Sequence, residues 1–291
     1  MKSAFVAIVG RPSAGKSTLL NALCGEKVSI TSPVPQTTRN KVRGILNEEE
    51  GQLVFIDTPG YHNSERKFNQ HLTDIVYSAL EESEVLLYVV DATRPLGKEE
   101  EEIIALLHKE KKPVVLALNK CDSPNEHRNE LRAFLRLNAN LERVYEISAT
   151  EKTGLEELKK ALLDASPEGP AMYPEGYYTD QTPEFRIAEV IREKAIARTS
   201  EEIPHCLYVE MSDMEWRNDG KELWVRAFLT VERESQKGIV IGKGGQVIKA
   251  IRIDALKELK KLFDYKISLD LRVKVNPKWR KKDYLIKGMF T

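Results

Sequence analysis

A glycine-rich segment near the N-terminus has the residue types and spacing that hold phosphate groups. We call this segment, Gly10–Ser17, the phosphate loop. It matches the P-loop pattern in full, follows a predicted strand and opens a predicted helix. Its glycines let backbone N–H groups turn toward phosphate oxygens. Lys16 would place a cation on the β- and γ-phosphates and assist catalysis, while Ser17 would offer its hydroxyl to Mg²⁺. The predicted phosphate-binding residues are Gly10, Arg11, Pro12, Ser13, Ala14, Gly15, Lys16, Ser17 and Thr18.

A second segment, Asn119–Asp122 (the base loop), predicts which base is bound. It follows the apolar run Val114–Leu118, so it lies at the C-terminal edge of a predicted strand, where parallel sheets bind ligands. A carboxylate only accepts hydrogen bonds. Guanine offers N1–H and an amino group side by side to Asp122, and adenine does not. The predicted base-site residues are Asn119, Lys120 and Asp122, with Ser148 and Ala149 as a supporting turn whose backbone N–H would meet guanine O6. A helix cap explains that last pair of residues equally well.

Two further loops have the residues expected around Mg²⁺ and the γ-phosphate. Asp57-Thr58-Pro59-Gly60 follows a predicted strand. Asp57 would hold Mg²⁺ through water, and Gly60 would let the backbone approach the γ-phosphate. In Gln36-Thr37-Thr38-Arg39, one threonine hydroxyl would complete the metal ligands. Both threonines are candidates and we favour Thr38. The predicted metal ligands are therefore Ser17, Thr38 and Asp57, and the predicted catalytic residues are Lys16, Thr38 and Gly60.

Short apolar runs alternate with helical patterns through the first part of the chain. The runs are Phe5–Val9, Leu53–Ile56, Val85–Val90, Val114–Leu118 and Val144–Ile147. They are rich in Val, Ile and Leu, as is typical of strands buried in a parallel sheet. A hairpin that pairs Val42–Leu46 with Leu53–Ile56 adds an antiparallel edge strand. Helices are predicted over Glu99–Lys111 and Thr153–Asp164, the second with a capping box of Thr153 and Glu156. The alternation predicts a doubly wound α/β fold.

The remainder of the chain predicts a linker and a smaller α+β domain. Residues 167–182 are rich in Pro, Gly and Tyr and have no periodicity. A helix is predicted to begin at Thr182-Pro183 and run toward Arg198. Strands around Leu207–Met211 and Leu223–Val231 are separated by the turn signal Asn218-Asp219-Gly220. Two helical stretches and a strand at Ile267–Val275 complete an α-β-β-α-α-β order.

Charge is distributed unevenly along the chain, although the net charge is zero. The segment from Lys237 to the end carries 15 Lys+Arg and 5 Asp+Glu, whereas the preceding 236 residues have a net charge of −10. A basic segment favours an anionic partner, and a solvated basic face is an equally good interpretation. The apolar runs are too short to span a membrane. The three isolated cysteines are typical of a reducing compartment.

The complete set of motifs resembles the Era family of bacterial ribosome-assembly GTPases over essentially the entire chain. Gly238–Ile248 looks like the core of a type II KH domain. The resemblance implies a P-loop GTPase domain over residues 1–166, with a doubly wound, mostly parallel sheet. It also implies a linker over 167–182 and an α+β type II KH domain over 183–291. The implied activity is hydrolysis of GTP to GDP with Mg²⁺ as the cofactor.

A KH domain clamps a single-stranded nucleic-acid backbone with its Gly-x-x-Gly loop, which here is Gly242–Gly245. Basic side chains in and after this loop would add salt-dependent attraction. The predicted RNA-binding residues are Gly242, Lys243, Gly244, Gly245, Lys249 and Arg252. The alternative is a structural turn on a basic surface.

The resemblance to Era also implies partners and a location. It implies a monomer that binds 16S ribosomal RNA near its 3′ end and acts in maturation of the 30S subunit. It further implies a cytoplasmic protein with peripheral association at the inner membrane face. Two residues depart from common patterns. Relatives usually carry Asn where this chain has Ser13, and in some of them that Asn helps hold a potassium ion. The sequence therefore does not decide whether this chain has a potassium site. Tyr61 stands where many small GTPases place a water-orienting Gln, which members of the Era group also lack. Because no arginine finger is evident in the sequence either, we expect slow intrinsic turnover.

Two other classes of protein compete with this interpretation. A small-molecule kinase would also use a P-loop, but Asp122 and the lack of an acceptor-site motif argue against it. An RNA-binding scaffold with a degenerate nucleotide site is disfavoured because Lys16, Ser17 and Asp57 are all present.

Overall fold

The computed structural model describes residues 1–61, 67–95, 97–125, 128–138, 143–282 and 285–286. These residues form two compact units. The first comprises Met1–Asp180, and the second begins at Gln181. Each unit has its own buried apolar cluster.

The first unit is built on a six-stranded sheet. Its strands are β1 (Lys2–Val9), β2 (Val42–Glu48), β3 (Gly51–Asp57), β4 (Val85–Asp91), β5 (Val114–Asn119) and β6 (Val144–Glu146). They lie in the order β2-β3-β1-β4-β5-β6, in which β2 runs antiparallel to β3 and the other pairs are parallel. All residues of β3 and β4 are buried, as expected for strands covered on both faces. The predicted doubly wound, mostly parallel sheet and its antiparallel edge strand are confirmed.

The strand order brings the loops that follow β1, β3, β4 and β5 to one edge of this sheet. Parallel strands end at the same edge, and the register pairs Ile8 with Asp57 and Asp91 with Asn119. The phosphate loop follows β1, between the strands that end at Asp57 and Asp91. Motifs that lie far apart in the chain are therefore adjacent in space.

Helices connect these strands. They are α1 (Lys16–Cys24), α2 (Lys67–Glu82), α3 (Lys98–Leu107), α4 (Arg128–Asn138) and α5 (Leu155–Ala165). The predicted capping box at α5 is wrong. Gly154 precedes the helix with φ 71° and no side-chain cap, while the backbone of Thr153 pairs with that of Ser148 in both directions. The helix predicted over Glu99–Lys111 ends at Leu107, ahead of Pro113.

Residues 167–180 run along the antiparallel edge of the first sheet. The carbonyl of Tyr178 accepts from the N–H of Ile45 at 2.9 Å, and the Thr179 hydroxyl donates to the carbonyl of Arg43 at 2.8 Å. The side-chain amide of Gln52 also bonds to the backbone of this segment. These contacts satisfy polar groups on an edge strand. The segment is therefore part of the first compact unit, and its role as a linker stays a prediction.

The second unit has a three-stranded sheet in the order β7-β8-β9. Its elements are α6 (Pro183–Ala197), α7 (Ile203–Cys206), β7 (Tyr208–Arg217), β8 (Glu222–Val231), α8 (Glu234–Ile241), α9 (Gln246–Leu262) and β9 (Lys266–Val275). The Thr182 hydroxyl caps α6 by accepting from the N–H of Phe185. The predicted element order is confirmed, with the short α7 in addition. None of the helices in the described ranges is long and apolar enough to cross a membrane.

Candidate nucleotide site and nucleic-acid interface

The phosphate loop is tightly packed where it turns from β1 into α1. Gly15 has φ 93°, and a Cβ on it would lie 2.3 Å from Asn119 Nδ2. A Cβ on Gly10 would lie 2.3 Å from the carbonyl oxygen of Val89. Glycine is therefore required at both positions. Because the N-cap residue Gly15 has no side chain, the first N–H groups of α1 stay available to an anion.

Lys16, near the end of this loop, is buried. Its ammonium donates to the carbonyl oxygens of Gly10 at 2.9 Å and Arg11 at 3.1 Å. Burial lowers its pKa to about 8, although the charge of Asp57 opposes the shift. An anionic phosphate in the loop would favour the charged form of the lysine, so this geometry suits the predicted phosphate contact.

The predicted metal ligands converge next to Lys16. One oxygen of Asp57, Oδ2, accepts from Ser17 Oγ at 2.6 Å and from Ser29 Oγ at 2.9 Å. Thr38 Oγ1 lies 2.9 Å from Ser17 Oγ. The other oxygen of Asp57, Oδ1, is buried and has no hydrogen-bond partner among the described residues. Burial raises the pKa of this carboxyl, and the surrounding hydroxyls and Lys16 act in the opposite direction.

This oxygen-rich cluster fits a divalent cation. A buried, unpartnered carboxylate oxygen is costly, and a cation would satisfy it. Hydroxyl and carboxylate oxygens are the donors that Mg²⁺ prefers. Ser17, Thr38 and Asp57 would hold the ion, which would offset the charge of the phosphates when bound. Their assignment as ligands stays a prediction.

The structure distinguishes between the two adjacent threonines. Thr37 is buried, and its hydroxyl donates to the carbonyl of Val34 at 2.6 Å. The hydroxyl of Thr38 lies against Ser17 instead. Only Thr38 is therefore placed with the other predicted metal ligands.

Asn119 joins the base loop to the phosphate loop. Its amide Nδ2 donates to the carbonyl of Ala14 at 3.0 Å, and its Oδ1 accepts from the N–H of Ala149 at 3.0 Å. Asn119 therefore links the phosphate loop to the turn that contains Ser148 through these two hydrogen bonds. Because the N–H of Ala149 is used in this contact, its predicted role toward guanine O6 stays a prediction.

Lys120 makes a second connection. Its ammonium donates to the carbonyl of Ser13 at 2.8 Å and to Asp91 Oδ2 at 2.6 Å. Hydrogen bonds from Lys120 and Thr93 hold the pKa of the Asp91 carboxyl low, although burial alone would raise it. The ion pair with the buried carboxylate of Asp91 holds the Lys120 side chain in place. Lys120 therefore fixes the distance between the base loop and the phosphate loop.

Asp122 differs from the buried Asn119 because it is exposed. A hydrogen bond from Ser148 lowers the pKa of its carboxyl. The carboxylate therefore stays ionised and keeps lone pairs free toward solvent. This is the state needed to accept two hydrogen bonds from guanine.

A cavity of about 530 Å³ opens between these loops. Several predicted site residues line it, namely Pro12, Ser13, Gly15, Lys16, Ser17, Thr18, Thr38, Gly60 and Lys120. Other predicted site residues do not line the cavity but contact the elements around it. The Thr58 hydroxyl bonds to the carbonyl of Ile8 at 2.7 Å, and Arg11 pairs with Glu100 on α3. Gly60 packs on the phosphate loop, since a Cβ there would lie 2.5 Å from Pro12 atoms. The predicted residues that are not among the lining residues are Gly10, Arg11, Ala14, Asp57, Thr58, Pro59, Asn119, Asp122, Ser148 and Ala149.

The Gly-x-x-Gly loop in the second unit joins α8 to α9. Gly242, Gly244 and Gly245 have φ values of 73°, 62° and 76°. A Cβ on Gly242 would lie 2.5 Å from Val247 Cγ2, whereas a Cβ on Gly244 would meet nothing within 4 Å. Lys243 and Gly244 are exposed. The loop thus presents open backbone and one cation to solvent.

Two further predicted RNA-binding residues follow on α9. Lys249 and Arg252 are both exposed and three residues apart, so they are neighbours on the helix surface. Arg252 Nη1 also reaches the carbonyl of Leu269 on β9 at 3.4 Å. Together with the loop, they make one end of α9 basic.

Comparison with known proteins agrees with both units. A family model described as a 50S ribosome-binding GTPase matches residues 5–120, and a KH domain model matches residues 202–280. GTPase Era of Treponema denticola is 53% identical over 291 residues, which cover 99% of each chain. The chain belongs to the Era family of GTPases. The predicted GTPase activity and KH domain are thereby confirmed.

Other Era proteins support this conclusion. GTPase Era of Borreliella afzelii is 46% identical over 290 residues, which cover 99% of each chain. A variant of Aquifex aeolicus Era bound to GDP and AlF₄⁻ has a TM-score of 0.95 at 36% identity, over 100% of both chains. The same values hold for Era in complex with MgGDPNP and nucleotides 1506–1542 of 16S ribosomal RNA.

Within this Era chain, sequence reasoning missed three polar residues at the nucleotide site. They are Ser29, which bonds to Asp57; Asp91, which bonds to Lys120; and Glu100, which pairs with Arg11. Asp91 had a usable signal, because it is a polar residue at the C-terminal end of an apolar run. Glu100 lies in a run of four glutamates and cannot be told from a solvated helix face by its sequence.

Tyr61 directly follows Gly60, at the position where many small GTPases have a water-orienting glutamine. Burial raises the pKa of Tyr61 to about 12, and a hydrogen bond with Tyr77 acts in the same direction. The phenol therefore stays protonated near neutral pH.

Proposed function

We propose that this Era-family GTPase binds single-stranded 16S ribosomal RNA near its 3′ end and acts in assembly of the 30S subunit. The observation that carries the proposal is the exposed Gly-x-x-Gly loop within a basic segment, on the same chain as the predicted guanine-nucleotide site. The Era complex with MgGDPNP and nucleotides 1506–1542 of 16S ribosomal RNA supports the choice of partner.

The nucleotide site supplies the regulatory half of this function. Asp122 selects guanine, Lys16 and the phosphate-loop backbone bind the phosphates, and Gly60 lies where the γ-phosphate would be sensed. Thr38 is in the loop after α1, so its contact with the metal ligands can depend on whether the γ-phosphate is present. GTP and GDP would therefore give the chain two distinct states.

The Gly-x-x-Gly loop supplies the binding half. Exposed backbone at Gly244 lets a phosphate approach closely, and Lys243 adds charge at that point. Lys249 and Arg252 extend the basic surface along α9 and add attraction that falls with salt.

The proposal includes a monomeric protein in the cytoplasm, with peripheral association at the inner membrane face. The resemblance to Era supports this location. The net charge of +10 from Lys237 onward is also compatible with an anionic lipid surface.

The central experiment changes the RNA clamp and leaves the nucleotide site intact. The double variant Lys243→Asp, Gly244→Asp places two acidic side chains where RNA phosphates should bind. We expect affinity for an RNA of nucleotides 1506–1542 to fall by more than about 30-fold, or about 2 kcal/mol. GDP affinity should not change. The parent should bind this RNA more tightly with a GTP analogue than with GDP.

The chain offers a closely matched control in the turn between β7 and β8. Gly220 also has a positive φ, 81°, and Lys221 follows it; both are exposed, and a Cβ on Gly220 would meet nothing within 4 Å. The variant Gly220→Asp, Lys221→Asp makes the same change in charge and in backbone strain. Its RNA affinity should stay within threefold of the parent. An equal loss in both variants, or no loss in the first, would contradict the proposed interface.

A further inference from the structure

The connection between β4 and α3 contains an arginine that the assignments above leave without a role. Arg94 lines the nucleotide cavity together with Lys16, Ser17, Thr38 and Gly60. Of the described residues that line this cavity, Arg94 is the sole arginine. A permanently charged guanidinium is therefore placed beside the predicted phosphate site.

The backbone around Arg94 is anchored on both sides. On one side, Asp91 Oδ1 accepts from the N–H and hydroxyl of Thr93 at 2.9 and 2.6 Å, and the carbonyl of Asp91 accepts from the N–H of Arg94 at 3.4 Å. On the other side, the carbonyl of Pro95 accepts from Arg11 Nη1 at 3.4 Å. Arg94 is thus held next to the phosphate loop by that loop's own arginine.

In contrast, the side chain of Arg94 is loosely held. Its side chain is 52% exposed, and its Nε lies 3.8 Å from Asp91 Oδ2. The same carboxylate oxygen lies 2.6 Å from the ammonium of Lys120, which is the closer partner. A half-exposed arginine gains little from a carboxylate 3.8 Å away that Lys120 already pairs more closely, so the guanidinium can turn toward a stronger anion.

Two other cations near the phosphate loop already have close hydrogen-bond or ion-pair partners. Arg11 forms an ion pair with Glu100 at 2.9 Å, and both side chains are less than a tenth exposed. Lys120 is fixed between Ser13 and Asp91. Tyr61 offers no charge. Arg94 combines a charge, access to the cavity and freedom to move.

We propose that Arg94 acts in cis on GTP hydrolysis, by stabilising the negative charge that develops on the phosphates. Water adds to the γ-phosphorus as the bond to the β–γ bridging oxygen breaks, which releases GDP, inorganic phosphate and a proton. Arg94 neither gives nor takes a proton in this step. Its guanidinium binds phosphate oxygens more strongly in the transition state, as arginines do in other GTPases. The assignment rests on the GTPase activity of the family and does not depend on RNA.

The test compares Arg94→Ala, Arg94→Lys and the control Arg143→Ala. Arg143 is a 67% exposed arginine of the same unit, outside the cavity. Single-turnover GTP hydrolysis, GDP affinity, and GDP affinity in the presence of AlF₄⁻ are measured without RNA. Signalling GTPases with an arginine in cis turn over at about 10⁻² s⁻¹, against about 4 × 10⁻⁴ s⁻¹ without one. We therefore expect Arg94→Ala to lower turnover about 25-fold.

The pattern across the three measurements separates catalysis from a structural role. Arg94→Ala should lose the gain in GDP affinity that AlF₄⁻ confers, because this ion mimics the transferred phosphoryl group, while affinity for GDP alone stays within twofold. Arg94→Lys should be intermediate, and Arg143→Ala should match the parent. Turnover of Arg94→Ala within twofold of the parent overturns the proposal. An equal loss of turnover and GDP affinity also overturns it, because Arg94 would then act through Asp91 and Lys120.

Discussion

Two glycine-rich loops in this chain precede helices, and both are assigned to bind phosphate oxygens. The phosphate loop opens α1, and the Gly-x-x-Gly loop (Gly242–Gly245) leads into α9. Each places a lysine among glycines and has left-handed backbone, with φ 93° at Gly15 and 62° at Gly244. In local sequence and conformation the two loops are similar.

Their surroundings differ. A Cβ on Gly15 would lie 2.3 Å from Asn119 Nδ2, whereas a Cβ on Gly244 would meet no described atom within 4 Å. Lys16 is buried and holds two carbonyl oxygens, but Lys243 is exposed. The phosphate loop is braced by residues from β4, β5 and α3, and the other loop projects into solvent.

This difference corresponds to two kinds of ligand. Hydrolysis requires reacting atoms held within fractions of an ångström, so the loop that binds GTP needs rigid neighbours. A clamp for single-stranded RNA must instead admit a flexible chain from outside, which requires open backbone. Packing around the loop, rather than the loop itself, determines which task it can perform.

The largest effect is expected for Gly15→Ala. The added Cβ must displace the Asn119 amide, which also bonds to Ala14 and Ala149 at 3.0 Å each. Both the phosphate loop and the base loop would shift. GDP affinity, measured with a fluorescent nucleotide, should fall on the order of 1,000-fold, about 4 kcal/mol.

Gly244→Ala is the matched change in the open loop. It meets no atom, so only the left-handed backbone is disfavoured, by about 1–2 kcal/mol. Thermal unfolding should show that modest loss, with GDP affinity unchanged. If Gly15→Ala kept GDP affinity within tenfold, the contrast between a braced and an open loop would fail.

An effect smaller than that of Gly15→Ala is expected at the base site. In Asp122→Asn, the amide can donate to the carbonyl that xanthine has in place of the guanine amino group. The ratio of XTP to GTP affinity should rise on the order of 100-fold, because a polar group deprived of its partner rejects a ligand strongly. Competition binding measures this ratio. An unchanged GTP preference would remove Asp122 from the base site.

The smallest effect is expected for Ser13→Asn. Ser13 has φ 64°, a conformation that asparagine adopts more readily than serine. The braced loop therefore contains a mildly strained residue. The substitution should raise the free energy of unfolding by a fraction of the roughly 1–2 kcal/mol that left-handed backbone costs, seen as a higher melting temperature. A lower melting temperature would mean that the serine side chain stabilises the loop in its own right.

Several features of the fold could be predicted because they depend on local pattern. Apolar runs marked β1 and β3 to β6, and Thr182-Pro183 marked the start of α6. The capping box at Thr153 was wrong for a local reason as well. Gly154 adopts the left-handed conformation before α5, and the backbone of Thr153 is already paired with Ser148.

By itself, the sequence determined the nucleotide class, the Gly-x-x-Gly loop and the order of elements, since each depends on residue types at short, regular spacing. Tertiary structure decided that Thr38 rather than Thr37 joins Ser17, and that Arg94 lines the nucleotide cavity. It also decided that the phosphate loop packs against neighbouring elements, whereas the Gly-x-x-Gly loop is exposed. The contact between Lys120 and Ser13 spans 107 residues, and no local pattern encodes a contact that forms only when parallel strands bring their ends to one edge of a sheet.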